Sequence, residues 1–342
     1  MKQILLILLF LNLDFFFSHQ KGVSYMLASA YNDYIYLSYD NGVTWNSTGA
    51  LDNWVDAECS TNGKYVVACN KVFSGSTLIG APMNKSSNFG ASFTSGSGSS
   101  TIFEYYCSTS SDGNLFLYGA SEYTTESLGY TFDYGQTLNY YSYSGGNYNC
   151  GSVFAFPNGN GFVAKIGTGI TSSDHYIAIV YNRSTNTFTS AMQLPVFPSR
   201  SWSICSTLNG DYIYILTADG SRNELYFSSN YGSSWSVFHT GISSYAKKIT
   251  CSGDGKYMVV SGRDSGGYLF AQYSSDYGSS WSSSTLNVSV FKDPADLKMS
   301  KSGKYVLLAG DGTKLYLSSD YGATFIANTT LSNKNWTSVD IK

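Results

Sequence analysis

Apolar runs and short polar turns alternate along most of the chain, with the period of β-strands. Asn-Gly, Asp-Gly or Ser-Gly comes just before runs such as KYVVAC, DYIYIL and KYVLLAG, at residues 64–69, 211–216 and 304–310. Asn-Gly and Asp-Gly between apolar runs predict β-hairpins, because both central residues of a type I′ turn need positive φ. No long helical period interrupts this pattern. The pattern therefore predicts a chain built from hairpins.

A second phrase alternates with these turns and defines a repeat. It has the form Ser-x-Asp-x-Gly, with an aromatic residue three positions after the glycine. The copies are Ser38, Asp40, Gly42 and Trp45; Ser86, Asn88, Gly90 and Phe93; Thr131, Asp133 and Gly135; Ser228, Asn230, Gly232 and Trp235; Ser274, Asp276, Gly278 and Trp281; and Ser318, Asp320, Gly322 and Phe325. A further slot, Tyr181 to Phe188, keeps little but the spacing and the final aromatic residue. Successive slots start 44 to 50 residues apart, which indicates one structural module of nearly constant length.

Each module contains four short strand patterns, with the repeated phrase as the turn between the third and fourth. Four antiparallel strands per 40 to 50 residues are typical of a propeller blade. The sequence therefore predicts an all-β fold, a seven-bladed β-propeller that occupies residues 21–342 as a single domain. The C-terminal run TSVDIK resembles a first strand, and Val23 to Ala28 resembles a second strand. We expect one blade to be closed by the N- and C-terminal strands.

The repeated phrase resembles the Asp box, or BNR repeat, of sialidases, some xyloglucan-cleaving glycosidases, the sortilin family and photosystem assembly factors. The resemblance spans nearly all of the chain after the first 20 residues and implies a propeller of this superfamily. It implies little about activity, since the motif stabilises a turn and is not itself catalytic. Its Ser and Asp side chains are expected to accept backbone N–H groups in the turn.

The N-terminus predicts secretion. Lys2 precedes the run ILLILLFLNL, a pattern typical of a signal peptide, which we place at residues 1–20. A membrane anchor is the alternative, but the apolar stretch is interrupted by Asp14 and ends by Phe17, short of the roughly 20 residues that a membrane span needs. Six Asn-x-Ser/Thr sequences are candidate N-glycosylation sites of an extracellular protein: Asn46, Asn84, Asn182, Asn287, Asn328 and Asn335.

The cysteines leave two alternatives open. Five of them, Cys59, Cys107, Cys150, Cys205 and Cys251, fall near the end of successive first strands, at a position where another blade has Met299. Such a position is typical of a small apolar core residue, and equivalent positions in a ring are not expected to meet. We therefore expect buried free thiols, with a disulfide framework as the alternative. No Cys-x-x-Cys pair indicates zinc.

Few residues suggest catalysis. Only four arginines follow the predicted signal peptide, and none lies in the first 180 residues, which argues against a sialidase. A glycosidase needs two carboxylates across a cleft. The candidates outside the repeat are Asp56, Glu58, Glu104, Glu122, Glu126, Asp174, Asp264 and Asp293. Asp56 and Glu58 are notable because alternate residues of an innermost strand face a central channel. His175 and His239 lack partners in the sequence for a catalytic triad. We predict no catalytic residue, no metal and no cofactor.

Tyrosine is the most unusual feature of the composition. The chain has 30 tyrosines and a net charge of −3, with no basic run, which disfavours nucleic-acid binding. Tyr140, Tyr141, Tyr143 and Tyr148 are candidate ligand contacts, because exposed tyrosines can stack on sugars or contact proteins. The sequence thus favours a secreted, non-catalytic scaffold without a stable membrane anchor, whose partner is a protein, a glycan or further copies of itself. A glycoside hydrolase of the sialidase-like or xyloglucanase-like Asp-box type is the alternative.

Overall fold

The computed structural model describes residues 24–74, 77–80, 83–95, 104–120, 127–141, 148–167, 176–193, 201–218, 223–238, 241–286 and 293–342. Within these ranges the chain forms β-strands joined by turns, and none of the residues is helical. No helix in this part of the chain could therefore cross a membrane. The predicted signal peptide lies outside the described residues.

The strands are numbered in chain order. The first eleven are β1 (Met26–Ser38), β2 (Asn46–Cys59), β3 (Val66–Asn70), β4 (Val72–Ser74), β5 (Thr77–Gly80), β6 (Met83–Ser86), β7 (Thr94–Ser95), β8 (Glu104–Thr109), β9 (Phe116–Ala120), β10 (Leu128–Thr131) and β11 (Asn139–Tyr140). The next eight are β12 (Asn149–Ala155), β13 (Gly161–Gly167), β14 (Tyr176–Asn182), β15 (Thr187–Gln193), β16 (Ser201–Ser206), β17 (Ile213–Ala218), β18 (Asn223–Ser228) and β19 (Ser236–Val237). The last ten are β20 (Ala246–Cys251), β21 (Met258–Arg263), β22 (Leu269–Ser274), β23 (Ser282–Ser283), β24 (Thr285–Leu286), β25 (Pro294–Met299), β26 (Val306–Thr313), β27 (Leu315–Ser318), β28 (Thr324–Ala327) and β29 (Lys334–Ile341).

The strands form four-stranded antiparallel units in chain order. Four units are separate sheets, β8 to β11, β12 to β15, β16 to β19 and β20 to β23. The same arrangement recurs inside an 11-stranded sheet that contains β2-β3-β6-β7 and β25-β26-β27-β28. This larger sheet is continuous because β2 is shared: its first half pairs with β1 and its second half with β3. The prediction of an all-β fold with four antiparallel strands per repeat is confirmed.

The two ends of the described chain pair with each other. β29 lies antiparallel to the first part of β1, with Met26 opposite Ile341 and Ala28 opposite Val339. These four residues are buried, with exposed fractions of 3% or less. The pairing that the sequence predicts between the two ends of the chain is therefore present.

The repeated turns have the hydrogen bonds that their sequence predicts. In the first copy the N–H of Gly42 donates to Ser38 Oγ at 2.8 Å, and the N–H of Thr44 donates to Asp40 Oδ1 at 2.8 Å. The indole of Trp45 donates to the carbonyl oxygen of Gly42 at 3.0 Å. The turn thus uses all four residues of the repeated phrase.

The serine and glycine of four further copies repeat this arrangement. In each, the N–H of the glycine donates to the hydroxyl oxygen of the serine four positions earlier, at 2.8 or 2.9 Å. The pairs are Gly90 with Ser86, Gly232 with Ser228, Gly278 with Ser274, and Gly322 with Ser318. The copy that begins with threonine has a glycine of the same conformation, with Gly135 at φ +79°.

The third residue of the phrase accepts a backbone N–H from four positions later in every copy. The bonds in the further copies are Ser92 to Asn88 at 3.1 Å, Thr137 to Asp133 at 2.8 Å, Ser234 to Asn230 at 2.9 Å, Ser280 to Asp276 at 2.9 Å and Thr324 to Asp320 at 2.9 Å. An amide oxygen accepts this bond as a carboxylate oxygen does. Asparagine can therefore replace aspartate in the turn.

The final aromatic residue differs in its role from copy to copy. The indole N–H groups of Trp235 and Trp281 each donate to the carbonyl oxygen of the glycine in their own turn at 3.0 Å. Phe93 has no such donor and packs on Trp54, with the ring centres 5.5 Å apart. Phe325 is 3% exposed in a core cluster. The phenylalanines thus stabilise the fold through packing alone.

The glycine of this turn is required for two reasons. Gly322 has φ +89°, in the left-handed region that other residues avoid. A Cβ added there would lie 2.3 Å from Val259 Cγ2, in the neighbouring four-stranded unit. A Cβ on Gly135 would likewise lie 2.9 Å from Lys85 Cδ, in the unit before it. The turn therefore fixes both the local backbone and the close contact between adjacent units.

All six cysteines are buried and free, as expected. The thiols of two equivalent positions, Cys205 and Cys251, lie close to each other without a disulfide. Burial, and then a hydrogen bond to the thiol of Cys251, raise the pKa of Cys205. The adjacent first strands β16 and β20 lie close enough for this contact. The pKa of Cys107 is raised by burial and then by a hydrogen bond with Cys69, which lies in β3 and not at an equivalent position.

Candidate functional site: a charged central cavity

The first strands of the four-stranded units surround a cavity. β2 contacts β8, and contacts continue through β12, β16, β20, β25 and β29 back to β2. The cavity between them has a volume of about 140 Å³. Every one of these strands contributes lining residues, among them Asp56, Ser152, Lys248 and Asp296.

Carboxylates in the cavity wall, and Asp340 in a smaller pocket that shares Glu58 and Lys298 with it, accept backbone N–H groups from the neighbouring first strand. Asp56 Oδ2 accepts from the N–H of Cys107 at 2.9 Å, and Glu58 Oε2 accepts from the N–H of Thr109 at 2.9 Å. Asp340 Oδ2 accepts from the N–H of Cys59 at 2.8 Å. A first strand is the edge of its sheet, so its outward N–H groups have no strand partner. The carboxylates satisfy these edge groups from the next unit.

Serine hydroxyls perform the same task elsewhere in the wall. Each accepts a backbone N–H of the next first strand: Ser338 from Ala57 at 2.8 Å, Ser108 from Ala155 at 3.0 Å, and Ser203 from Ile249 at 2.9 Å. Asp296 Oδ2 accepts from the N–H of Val339 at 3.2 Å. Side-chain hydrogen bonds thus tie many of the first strands to their neighbours.

Lysines neutralise much of the negative charge. Lys298 Nζ forms an ion pair with Glu58 Oε1 at 2.5 Å, and Lys342 Nζ lies 3.4 Å from Asp340 Oδ2. Lys248 Nζ lies 3.7 Å from Asp296 Oδ1. Glu58 and Asp340 are 4% and 2% exposed, so these charges are screened little by solvent.

The two carboxylates of β2 differ in electrostatic environment. Burial would raise the pKa of Glu58, but the ammonium groups of Lys298 and Lys342 outweigh it and hold the pKa below its usual value. Burial and then the charge of Glu58 raise the pKa of Asp56 to about 7, against the opposing hydrogen bond from Cys107. No ion pair joins Asp56 to a lysine in the described residues. Burial without a lysine partner thus places the pKa of Asp56 near neutral pH, whereas the pKa of Glu58 lies below its usual value.

Replacing Asp56 by asparagine is expected to have a more favourable effect on the free energy of unfolding at pH 8 than at pH 5. In the unfolded chain Asp56 loses its proton near pH 4, whereas the folded state holds it up to about pH 7. The folded wild type therefore loses stability as pH rises between these values, and the asparagine variant does not. Between pH 5 and pH 8 the upper limit is about 3 kcal/mol, and we expect about 1–2 kcal/mol because Asp56 borders the cavity. Urea unfolding of both proteins at both pH values measures the difference in free energy of unfolding between the variant and the wild type. A difference that is the same at pH 5 and pH 8 would contradict the prediction.

The sequence candidates separate into two groups. Asp56 and Glu58 line the cavity, as the alternation of an innermost strand predicts. Asp293 instead forms a surface ion pair with Lys247 at 2.9 Å, and Asp264 accepts the N–H of Tyr268 in a turn. Glu104 begins β8. Glu122, Glu126, Asp174, His175 and His239 lie outside the described residues.

The sequence analysis identified Asp56 and Glu58 but not the charged residues of β25 and of the end of the chain that lie near them. Asp296 and Lys298 alternate in β25, and Asp340 and Lys342 alternate at the end of the chain, with the spacing of Asp56 and Glu58 in β2. Aligning the first strands of all repeats would have grouped these positions. Asp296 and Lys298 line the same cavity as Asp56 and Glu58. Asp340 and Lys342 line a smaller pocket that shares Glu58 and Lys298 with it. In the described part of the chain, no three His, Cys, Asp or Glu side chains are arranged to hold a metal ion.

The candidate ligand tyrosines are mostly part of the core. Tyr148 is fully buried, and its hydroxyl donates to the carbonyl oxygen of Tyr141 at 2.7 Å. Tyr141 packs against the same cluster, with its ring 4.8 Å from that of Phe188. Tyr140 is half-buried beside Tyr118, and Tyr143 lies outside the described residues. The expectation that Tyr148 presents an exposed ring is therefore wrong, because the ring fills a gap in the core.

The candidate glycosylation sites differ in exposure. Asn46 and Asn335 are exposed, and Asn182 and Asn328 are half-buried in turns. Asn84 is only 9% exposed, and its side-chain nitrogen donates to Asn70 Oδ1 at 2.8 Å, so this position argues against a glycan there. Asn287 lies outside the described residues.

No protein-family model matches the chain. No curated protein matches it either. Solved structures do match, at low sequence identity. A 6-phosphogluconolactonase-like protein from Bacteroides uniformis aligns with a TM-score of 0.60 and 15% identity, over 94% of this chain and 100% of that one. A structure described as YCF48 bound to D1 peptide aligns with a TM-score of 0.54 and 15% identity, over 82% of each chain.

These neighbours are β-propeller proteins. This chain has a β-propeller fold. The GH74 enzyme of Niastella koreensis also aligns, with 12% identity and a TM-score of 0.43, over 92% of this chain. The chain spans 65% of the length of that enzyme. At these identities the likeness concerns the fold alone.

Proposed function

We propose that this protein is a secreted, non-catalytic glycoprotein that acts as an extracellular structural or interaction scaffold. It binds a protein or glycan partner, or assembles with copies of itself in a coat, matrix or filament. It neither binds nucleic acid nor carries a stable membrane anchor. The finer architecture belongs to the same proposal: a seven-bladed propeller of the Asp-box type, with one blade completed by β29 and β1.

The use of the cavity carboxylates carries the proposal. A catalytic carboxylate must have an oxygen free to reach substrate. Here Glu58 accepts a backbone N–H and forms an ion pair with Lys298, and Asp340 accepts the N–H of Cys59 and lies close to Lys342. These groups hold one unit to the next. Their hydrogen bonds and ion pairs join the edge strands of neighbouring units and leave little capacity to contact a substrate.

The size of the cavity supports the same conclusion. Its volume of about 140 Å³ is below half of the roughly 300 Å³ at which ligand pockets usually begin. A glycosidase must also admit a water molecule and a distorted sugar ring between its carboxylates. A cavity of this size favours closure of a ring over binding of a polysaccharide.

The repeat supports the architecture. The first strands contact one another in a cyclic order, and β2-β3-β6-β7 and β25-β26-β27-β28 match the separate four-stranded sheets. These are six units. β29, the two parts of β1 and the start of β2 form one further unit, which brings the total to seven. The Asp-box hydrogen bonds at five serine turns support membership of that superfamily.

One observation favours the alternative, a glycoside hydrolase. Asp56 has a pKa of about 7, which suits a general acid near neutral pH, and it shares the cavity with Asp296. In such an enzyme Asp56 would protonate the leaving oxygen and Asp296 would act as base or nucleophile.

Expression of the full chain in a eukaryotic secretory host tests the proposal. We expect the protein in the medium, with a mass that falls on enzymatic removal of N-glycans, and no turnover of a panel of neutral and acidic polysaccharides. Light scattering and a glycan array then measure self-association and binding. Asp56→Asn is the matched control, because it keeps the hydrogen-bond acceptor and removes the acid.

Two results would overturn the proposal. Retention of the protein inside the cell, without glycans, would rule out a secreted glycoprotein. Turnover of a polysaccharide by the wild type, lost in Asp56→Asn, would establish the hydrolase instead.

A further inference from the structure

A second, larger pocket lies between two neighbouring units, away from the central cavity. It has a volume of about 300 Å³, twice that of the cavity. Its lining includes Asn158, Asn160, Asn182, Ser184, Asn209 and Tyr231. Asn158 and Asn209 come from turns that follow first strands, and Tyr231 comes from an Asp-box turn.

The pocket coincides with the slot at which the repeat has diverged. Residues 181–188 have no Ser-x-Asp-x-Gly sequence. In its place a turn runs from Asn182, with Asn186 at φ +52°, and the N–H of Arg183 donates to the carbonyl oxygen of Asn160 at 2.8 Å. The turn at this slot therefore presents a surface that the Asp-box turns of the other copies do not have.

The polar groups of the pocket are neutral amides. Asn160 and Asn209 are both exposed, and no hydrogen bond within the described residues occupies either side-chain amide. Each amide offers two N–H donors and a carbonyl acceptor. That combination matches neighbouring hydroxyl groups, which both donate and accept.

Tyr231 supplies an apolar face beside these amides. The residue is 44% exposed. Its backbone has φ +55°, and the residues at the same position of the other Asp-box turns also have positive φ. At the same Asp-box position, Tyr134 stacks on Tyr65 and Tyr321 stacks on Tyr257. Among the described residues, no aromatic ring pairs with Tyr231, which leaves its face open toward a ligand.

The pocket lacks groups that recognise an ion. None of its lining residues is Asp, Glu, Lys or Arg. The guanidinium of nearby Arg183 lies 4.4 Å from the centre of the Phe132 ring, in a cation–π contact. A charged sugar or a nucleotide phosphate would find no partner among these lining residues.

We propose that this pocket binds one neutral sugar ring of a glycan, with Tyr231 stacked on the ring and the Asn160 and Asn209 amides on its hydroxyls. The site rests on the proposed function, since it specifies the glycan as partner of a non-catalytic propeller. The sugar comes from a polysaccharide or from an N-glycan of a glycoprotein, and both offer the same chemistry.

An array of neutral and acidic polysaccharide fragments and N-glycans, followed by calorimetry, tests the site. The protein is compared from a bacterial and from a eukaryotic secretory host, because Asn182 lines the pocket and a glycan attached to it would compete with the added sugar. We expect neutral sugars to bind and Tyr231→Ala to weaken binding at least about fivefold, with little change in Tyr231→Phe. Tyr277→Ala is the matched control, because Tyr277 has the same Asp-box position, φ +60° and 54% exposure but does not line the pocket.

Each possible result either supports or overturns the proposed sugar site. Selective loss of binding in Tyr231→Ala, at an unchanged melting temperature, supports the site, and the array shows which source of sugar is bound. Equal effects of Tyr231→Ala and Tyr277→Ala, binding of acidic sugars alone, or no binding at millimolar concentration would overturn it. Turnover that depends on Asp56 would refute the scaffold proposal, while the effect of Tyr231 on binding would still report on this pocket.

Discussion

Replacing Glu58 by alanine is expected to lower the free energy of unfolding by about 3–5 kcal/mol. The change removes a buried partner of Lys298 and the acceptor of the Thr109 N–H, and it frees the hydroxyl of Ser108. Breaking one half of a buried ion pair leaves an uncompensated charge, which costs more than the pair itself contributes. Urea unfolding at pH 7, followed by tryptophan fluorescence, measures the loss.

Asp293→Ala provides the control for a surface pair. Asp293 pairs with Lys247 at 2.9 Å, but the two side chains are 47% and 35% exposed, so we expect a loss of less than about 1 kcal/mol. Adding Lys298→Met to Glu58→Ala should recover part of the stability, because it removes the orphaned ammonium group. A Glu58→Ala variant as stable as Asp293→Ala would show that the cavity charges do not fasten the units.

The repeat explains why the fold could be predicted. Gly42 and Gly322 hold equivalent positions near opposite ends of the chain, and each turn follows from local hydrogen bonds that the sequence specifies. The pairing of TSVDIK with the start of β1 follows from counting strands in each module. Local turn chemistry, repeated at a constant interval, leaves few alternatives for the architecture.

The site depends on relations that no single repeat contains. Asp56 and Asp296 are 240 residues apart in the sequence, and only the cyclic order of the first strands brings them to one cavity. The burial of Tyr148 is equally non-local, because its ring lies in a cluster that includes Leu128 and Phe162 from other strands. The polar, glycine-rich sequence around Tyr148 predicts an exposed ring. Packing against residues distant in the sequence buries the ring instead.

Deleting Thr337 to Lys342 is expected to abolish cooperative unfolding. The segment buries Val339 and Ile341, each worth about 1.5–3 kcal/mol, and its removal exposes the edge of β1 at Met26 and Leu27. It also removes the acceptors that Ser338 and Asp340 present to the backbone of β2. The combined loss is comparable with the roughly 5–15 kcal/mol that stabilises a typical protein. Thermal denaturation by circular dichroism and limited proteolysis measure it.

A peptide of residues 337–342 should restore the truncated protein when added in excess. Its strand can pair with β1 from outside the chain, because the deleted part of β29 contacts β1 through backbone hydrogen bonds and two buried apolar side chains, Val339 and Ile341. The same peptide with Val339→Asp and Ile341→Asp should fail, since it would place two unpaired carboxylates in the core. Cooperative unfolding of the truncated protein at the wild-type temperature, without peptide, would mean that the ring of units does not depend on its last strand.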